Sequence, residues 1–117
     1  MPQEPWADLL PDLPRDADGD SIRRLMHEGS DLAEPMSVDF FVAVPDETSG
    51  RAVAEAAQTV GFRTHVERDG QTDAWTVYCA REMLVTHDAV VAAQRQLDEI
   101  SRPHGGRADG WGTFGNV

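Results

Sequence analysis

The sequence predicts an α+β domain: a four-stranded antiparallel sheet with two helices on one face and a further helix ahead of it. Three observations predict it. Residues 36–44 and 73–80 alternate apolar and polar side chains at the period of a strand. Residues 46–60 and 86–100 repeat apolar side chains at the period of a helix. A shorter alternating run, 62–68, joins the second strand-like stretch through turn residues, and a last short strand closes the chain. The order strand, helix, strand, strand, helix, strand is the ferredoxin-like βαββαβ sandwich. Right-handed crossovers then put the first and third strands in the centre of the sheet.

Taken in order, residues 1–19 hold Pro2, Pro5, Pro11 and Pro14 among the acids Glu4, Asp8, Asp12, Asp16 and Asp18. Each proline removes an N–H and crowds the preceding turn, so a long helix is forbidden. This stretch reads as an acidic, proline-rich arm, and residues 20–117 as the folded domain. Asp20 or Ser21 can cap a short helix running to Glu28, with Ile22, Leu25 and Met26 in one stripe and Gly29 as its stop. In the first strand Val38, Phe40, Val42 and Val44 face one way; Ser37, Asp39, Phe41 and Ala43 face the other, and Pro45 ends it. The helix over 46–60 carries Val53, Ala56, Ala57 and Val60, and Gly61 stops it. Phe62, Thr64 and Val66 oppose Arg63, His65 and Glu67 in the second strand. Arg68-Asp69-Gly70-Gln71 supplies turn chemistry. Trp75, Val77 and Cys79 then oppose Thr76 and Tyr78 in the returning strand. The third helix presents Val90, Ala93, Leu97 and Ile100 and ends at Pro103 and Gly105-Gly106. In the last strand Asp109, Trp111 and Thr113 share one face, and Gly110, Gly112 and Phe114 the other.

A chain of 117 residues suits one domain with a real core. Its charge is lopsided: 21 acidic residues face 10 basic ones, all arginine, for a net charge of -11. Such a surface repels nucleic-acid phosphates and anionic membranes and attracts a basic patch on a partner protein. Acidity that serves solubility alone would look the same. Cys79 is the only cysteine, which excludes an internal disulfide and suits a reducing compartment. The first residues lack the basic-then-apolar pattern of a secretory leader, and no apolar run approaches the roughly 20 residues of a membrane span. The expectation is a cytoplasmic protein with neither a membrane nor a nucleic acid as direct partner. His27, His65, His87 and His104 show no tight ligand spacing, so no metal is expected. Cys79 sits on an apolar strand face, where a core role outweighs a nucleophilic one. With no nucleophile–base pair visible, neither catalysis nor a cofactor is expected.

Asp109-Gly110-Trp111-Gly112-Thr113-Phe114 is the most distinctive stretch. Glycine on both sides of tryptophan is costly in a strand, because it forfeits packing and entropy. Close backbone approach by a helix or a partner would justify that cost. Trp111 can therefore plug the edge of the core or anchor a partner. This ending, after a βαββα pattern, resembles the RraB family. So do the short first helix, the Glu28-Gly29-Ser30-Asp31 turn and the aromatic first strand, over about residues 20–114. The resemblance implies a ferredoxin-like fold and a regulator that binds ribonuclease E, lowering its cleavage of RNA or changing the composition of its degradosome. It carries over no catalytic residue. Gly29, Ser30, Asp31, Gly110 and Gly112 are its structural motif residues.

If the strand phases hold, the sheet face away from the helices displays Phe41, Tyr78 and Trp111, with His65 and Arg63 beside them. RNA-recognition modules stack bases on such aromatics, but amid basic residues that this chain lacks. Either the stripe of Ile22, Leu25 and Met26 covers this face or a partner protein does; cover by the stripe is the preferred reading. The candidate partner-binding residues are Asp109, Trp111, Thr113, Phe41 and Tyr78. The function expected is that of a protein-binding regulator whose partner is ribonuclease E or another RNA-processing enzyme with a basic surface. The alternatives are a ferredoxin-like module for a small ligand, or an immunity-type protein that neutralises a toxin enzyme.

Overall fold

Three carboxyl or hydroxyl side chains start the three helices. The computed structural model describes residues 16–116. Asp16 accepts from the Gly19 N–H at 2.8 Å and opens α1, Ala17–His27. Asp46 accepts from Ser49 N–H and opens α2, Glu47–Thr59; Thr86 accepts from Ala89 N–H and opens α3, His87–Ser101. Each cap satisfies a backbone donor that the first helical turn leaves without a partner. The cap of the first helix therefore lies four residues before the earlier of the two expected positions, Asp20 and Ser21, and residues 16–19, assigned to the arm, are its cap and first turn. The rest of the arm lies outside the described residues. Two of the predicted stops behave alike. Ser30 N–H reaches back to Leu25 O at 3.0 Å, and Phe62 N–H to Ala57 O at 3.2 Å. Gly29 and Gly61, both at φ 97°, supply the left-handed turn that this closure needs.

The strands are β1 (Met36–Val44), β2 (Arg63–Arg68), β3 (Trp75–Met83) and β4 (Arg107–Gly112). They form one antiparallel sheet in the order β2-β3-β1-β4, with the first and third strands central as the crossover rule requires. β3 runs three residues past the expected end at Ala80, because Arg81, Glu82 and Met83 pair with Val38, Ser37 and Met36. β4 stops at Gly112, two residues short of the expected Phe114.

All three helices pack on one face. Ile22 and Leu25 from α1, Val53, Ala54 and Ala57 from α2, and Val90, Ala93 and Leu97 from α3 share a single core with Val38, Phe40, Val42, Val77 and Cys79. Two details of the expected stripes change. In α2, Ala54 is buried and Val60, beyond the last helical turn, is exposed. Met26 is only half-buried, while Ile22 and Leu25 hold α1 down. Phe62 meets Phe40 edge to face at 6.0 Å and is covered by the Arg81 guanidinium at 3.8 Å.

Candidate functional site

With every helix on one side, the alternate side chains of the sheet are left uncovered by any described helix. The expectation that the α1 stripe covers this face is overturned: Ile22 and Leu25 lie in the main core on the other side. This face has an aromatic centre. Phe41 and Tyr78 are directly opposite on β1 and β3, and their rings meet edge to face at 5.5 Å. His65, opposite Tyr78 on β2, continues the row at 6.2 Å. On the other side of Phe41 stand Gly110 and Gly112. A Cβ added to Gly112 would come within 3.6 Å of the Phe41 ring, and one on Gly110 within 3.9 Å. Both glycines thus leave the ring open toward the β4 edge.

The polar rim of this face is acidic in balance. Arg63 donates to Ser37 Oγ at 3.3 Å, and Arg107 lies 3.6 Å from Asp109. His65 lies 3.7 Å from Glu67. Asp39 and Glu82, on the same face by alternation, have no such basic neighbour across the ladder: they oppose Ala80 and Ser37. Aromatics on a sheet could stack nucleic-acid bases, but this rim opposes the phosphates that would follow them.

The remaining predicted residues occupy other places, and a bulge in β4 is the reason. Phe40 pairs with Trp111 and Val42 with Ala108, so β4 fits one residue more than β1 between these pairs. Gly110 takes φ 112° there, a conformation few other residues accept. The extra residue breaks the alternation that put Asp109, Trp111 and Thr113 on one face. Trp111 belongs to the helix side, half-buried against the core, and is not on the open face. Its Nε1 donates to Asp18 Oδ1 at 2.8 Å, while Gln94 donates to Asp18 Oδ2 at 3.2 Å. Asp18 thereby joins α1, α3 and β4. Asp109 is exposed beside Arg107. Thr113 donates to the Ser37 carbonyl at 2.7 Å and accepts from Gly115 N–H at 3.0 Å, which fastens the end of the chain to β1.

The same fastening reaches the first motif. Asp31 N–H donates to Asn116 Oδ1 at 2.8 Å, and Asn116 Nδ2 donates to the Asp31 and Glu34 carbonyls at 2.8 and 3.3 Å. The Gly29-Ser30-Asp31 turn and the chain following the glycine–tryptophan–glycine motif therefore meet in space. Asp18 and Asn116, which sequence reasoning missed, make these joins. Asp18 had a signal, since acids belong in the first turn of a helix; Asn116 had none.

Burial pushes the Cys79 thiol up to about 12, so it stays protonated and inert. Among the described residues no group of three His, Cys, Asp or Glu side chains could hold a metal ion, and no helix is long and apolar enough to cross a membrane. What the face offers is an edge-to-face pair of aromatic rings in an acidic rim, which suits binding. The family described as regulator of ribonuclease activity B, RraB, matches residues 15–113. No curated protein matches the chain.

Proposed function

The chain belongs to the RraB family, regulators of ribonuclease activity, and from that premise we propose that it works without catalysis, by binding ribonuclease E or another RNA-processing enzyme through a basic surface of that enzyme. The observation that carries this reading is the Phe41–Tyr78 pair, which no described helix covers, on a chain of net charge -11. Aromatic rings held by a sheet lose little freedom on binding and make good anchors, while the surplus of carboxylates draws in an arginine- or lysine-rich region. The same charge keeps RNA itself and anionic membranes off the surface. The working compartment in this reading is the cytoplasm, where such an enzyme meets RNA.

The test is to add the purified chain to the ribonuclease E of its own host and follow cleavage of an RNA substrate. The wild-type chain should slow cleavage. Phe41→Ala with Tyr78→Ala should bind at least about thirtyfold more weakly, the equivalent of about 2 kcal/mol for an anchor. Its melting point should fall little, since a cross-strand pair contributes only about 0.2–1 kcal/mol. A double variant that binds and inhibits like the wild type would remove the open face from the mechanism.

A further inference from the structure

The two edges of the sheet differ in how they are guarded. At the β4 edge the strand is bulged and glycine-rich, and Ala108 N–H is taken by the Asp98 carboxylate at 3.0 Å. Bulges and capped donors are ways a sheet prevents another strand from adding to it. At the other edge, β2 is a regular run of six residues without a bulge or proline. Its pairing with β3 fixes which backbone groups face out. Asp69 N–H donates to Ala74 O at 2.8 Å, so Asp69 points toward β3. Antiparallel ladders alternate, so Glu67, His65 and Arg63 also point inward, and Arg68, Val66 and Thr64 point outward. No described group accepts from the N–H of Thr64, Val66 or Arg68.

A groove of about 530 Å³ runs beside this edge, between β2 and α2. Its floor includes the half-buried Val66 and Trp75, and its wall carries Glu47 and Glu55. Arg51 in the same wall is engaged by Glu47 at 2.9 Å, and Arg68 by Asp73 at 2.9 Å. Arg63 reaches away to Ser37. The edge therefore presents free backbone donors and acceptors, an apolar strip and uncompensated carboxylates at Glu55 and Glu67, the latter met only by His65 at 3.7 Å.

We propose that β2 accepts an extended, arginine- or lysine-bearing segment of a partner protein as a fifth strand, seated between the β2 edge and α2. Alternate side chains of such a segment fall on opposite faces. One set drops onto Val66 and Trp75 below α2. The other continues the open-face row of Phe41, Tyr78 and His65, near Glu67. Strand addition supplies affinity through main-chain hydrogen bonds, and the flanking side chains supply selection. The inference rests on the reading that the partner is a protein with a basic region, and not on that protein being a ribonuclease.

The test uses 15N-labelled full-length chain and a synthetic peptide of alternating arginine and valine, about ten residues long so that it spans the edge. Adding it should protect the Thr64, Val66 and Arg68 amides from hydrogen exchange and shift their resonances. The same peptide N-methylated on alternate backbone amides keeps its charge but loses donors, and should bind about tenfold more weakly or worse. Val66→Pro should weaken binding similarly, because it deletes an outward N–H and leaves the inward ladder intact. Equal binding of the N-methylated peptide, or shifts spread over acidic residues without protection at the three amides, would overturn the proposal in favour of plain charge attraction. Protection already present in the protein alone, rising with concentration alongside a dimeric mass, would overturn it in favour of a second copy of this chain. A host ribonuclease that fails to bind while the peptide protects the three amides would sink the ribonuclease reading alone.

Discussion

Asp18 joins three elements with one carboxylate, and Trp111 is the group it holds most directly, at 2.8 Å. The indole fills the seam between α1 and β4, so its loss removes packing as well as a hydrogen bond. Trp111→Ala should cost about 3 kcal/mol, the low end for an aromatic truncation because the ring is only half-buried. Asp18→Ala should cost about 1–2 kcal/mol, since it leaves the indole N–H without its acceptor. The two share one contact, so the double variant should cost less than the two single losses together. Urea melts of the four proteins check this; strict additivity would mean the contact contributes nothing. Cys79 gives a second residue-scale expectation. With its thiol pushed up to about 12 by burial, it should resist a thiol-exchange reagent in the folded protein and react at once in urea. Reaction at equal speed in both states would show that β3 opens readily. The sequence made the core position of Cys79 legible through strand alternation. It hid the face of Trp111, because an inserted residue at Gly110 reverses the phase and nothing in a period-two pattern announces a bulge.

At the scale of elements, the glycine stops and the starts of α2 and α3 were the legible features. Asp46, Thr86, Gly29 and Gly61 do what their residue types favour, and the alternation of β1 gave its buried face residue by residue. Two things were not legible. The proline-rich composition ahead of α1 concealed the cap at Asp16, and the helical stripe of α1 said that it packs without saying on which face of the sheet. Asp98 shows how one element steadies another. Near the end of α3 it accepts from Ala108 N–H of β4 at 3.0 Å and from Arg102 at 2.7 Å. These donors, Ala108 first, hold its carboxyl below the ordinary 3.8; the Gly19 N–H and then His87 do the same for Asp16, and Ser49 for Asp46. A carboxyl lowered in the folded state stabilises above its unfolded value, and that stability is lost as pH falls through the folded one. The contribution of these three carboxyls to the melting temperature should therefore be full above 3.8 and be lost below it. Asp98→Asn should melt lower at neutral pH and fall less steeply in acid. Parallel acid limbs for the variant and the wild type would mean that Asp98 does not hold the β4 edge.

For the molecule as a whole, the arginines are mostly occupied at short range. Arg23, Arg51, Arg68, Arg102 and Arg107 each lie within 4 Å of a nearby carboxylate, and Arg81 is spent on Phe62 and the Val60 carbonyl. Local pairs of this kind contribute little to stability, but they cancel the positive charge where it stands. The field seen by an approaching partner is then that of the surplus acids, consistent with a net charge of -11. Two consequences follow with opposite signs. Salt screens the self-repulsion of the folded chain, so its melting temperature should rise as salt is added. Salt also screens the attraction of a basic partner, with a Debye length near 10 Å at 0.1 M and about 3 Å at 1 M. Association with the proposed ribonuclease partner should therefore slow by about tenfold or more over that range, since steering acts before contact. The dissociation rate should change far less if, as proposed, the complex is held by short-range contacts at Phe41, Tyr78 and the β2 edge. Stopped-flow association beside thermal melts, at the same salt concentrations, separates the two effects. An association rate flat in salt, with melting temperatures that still rise, would assign the acidity to solubility and remove it from recognition.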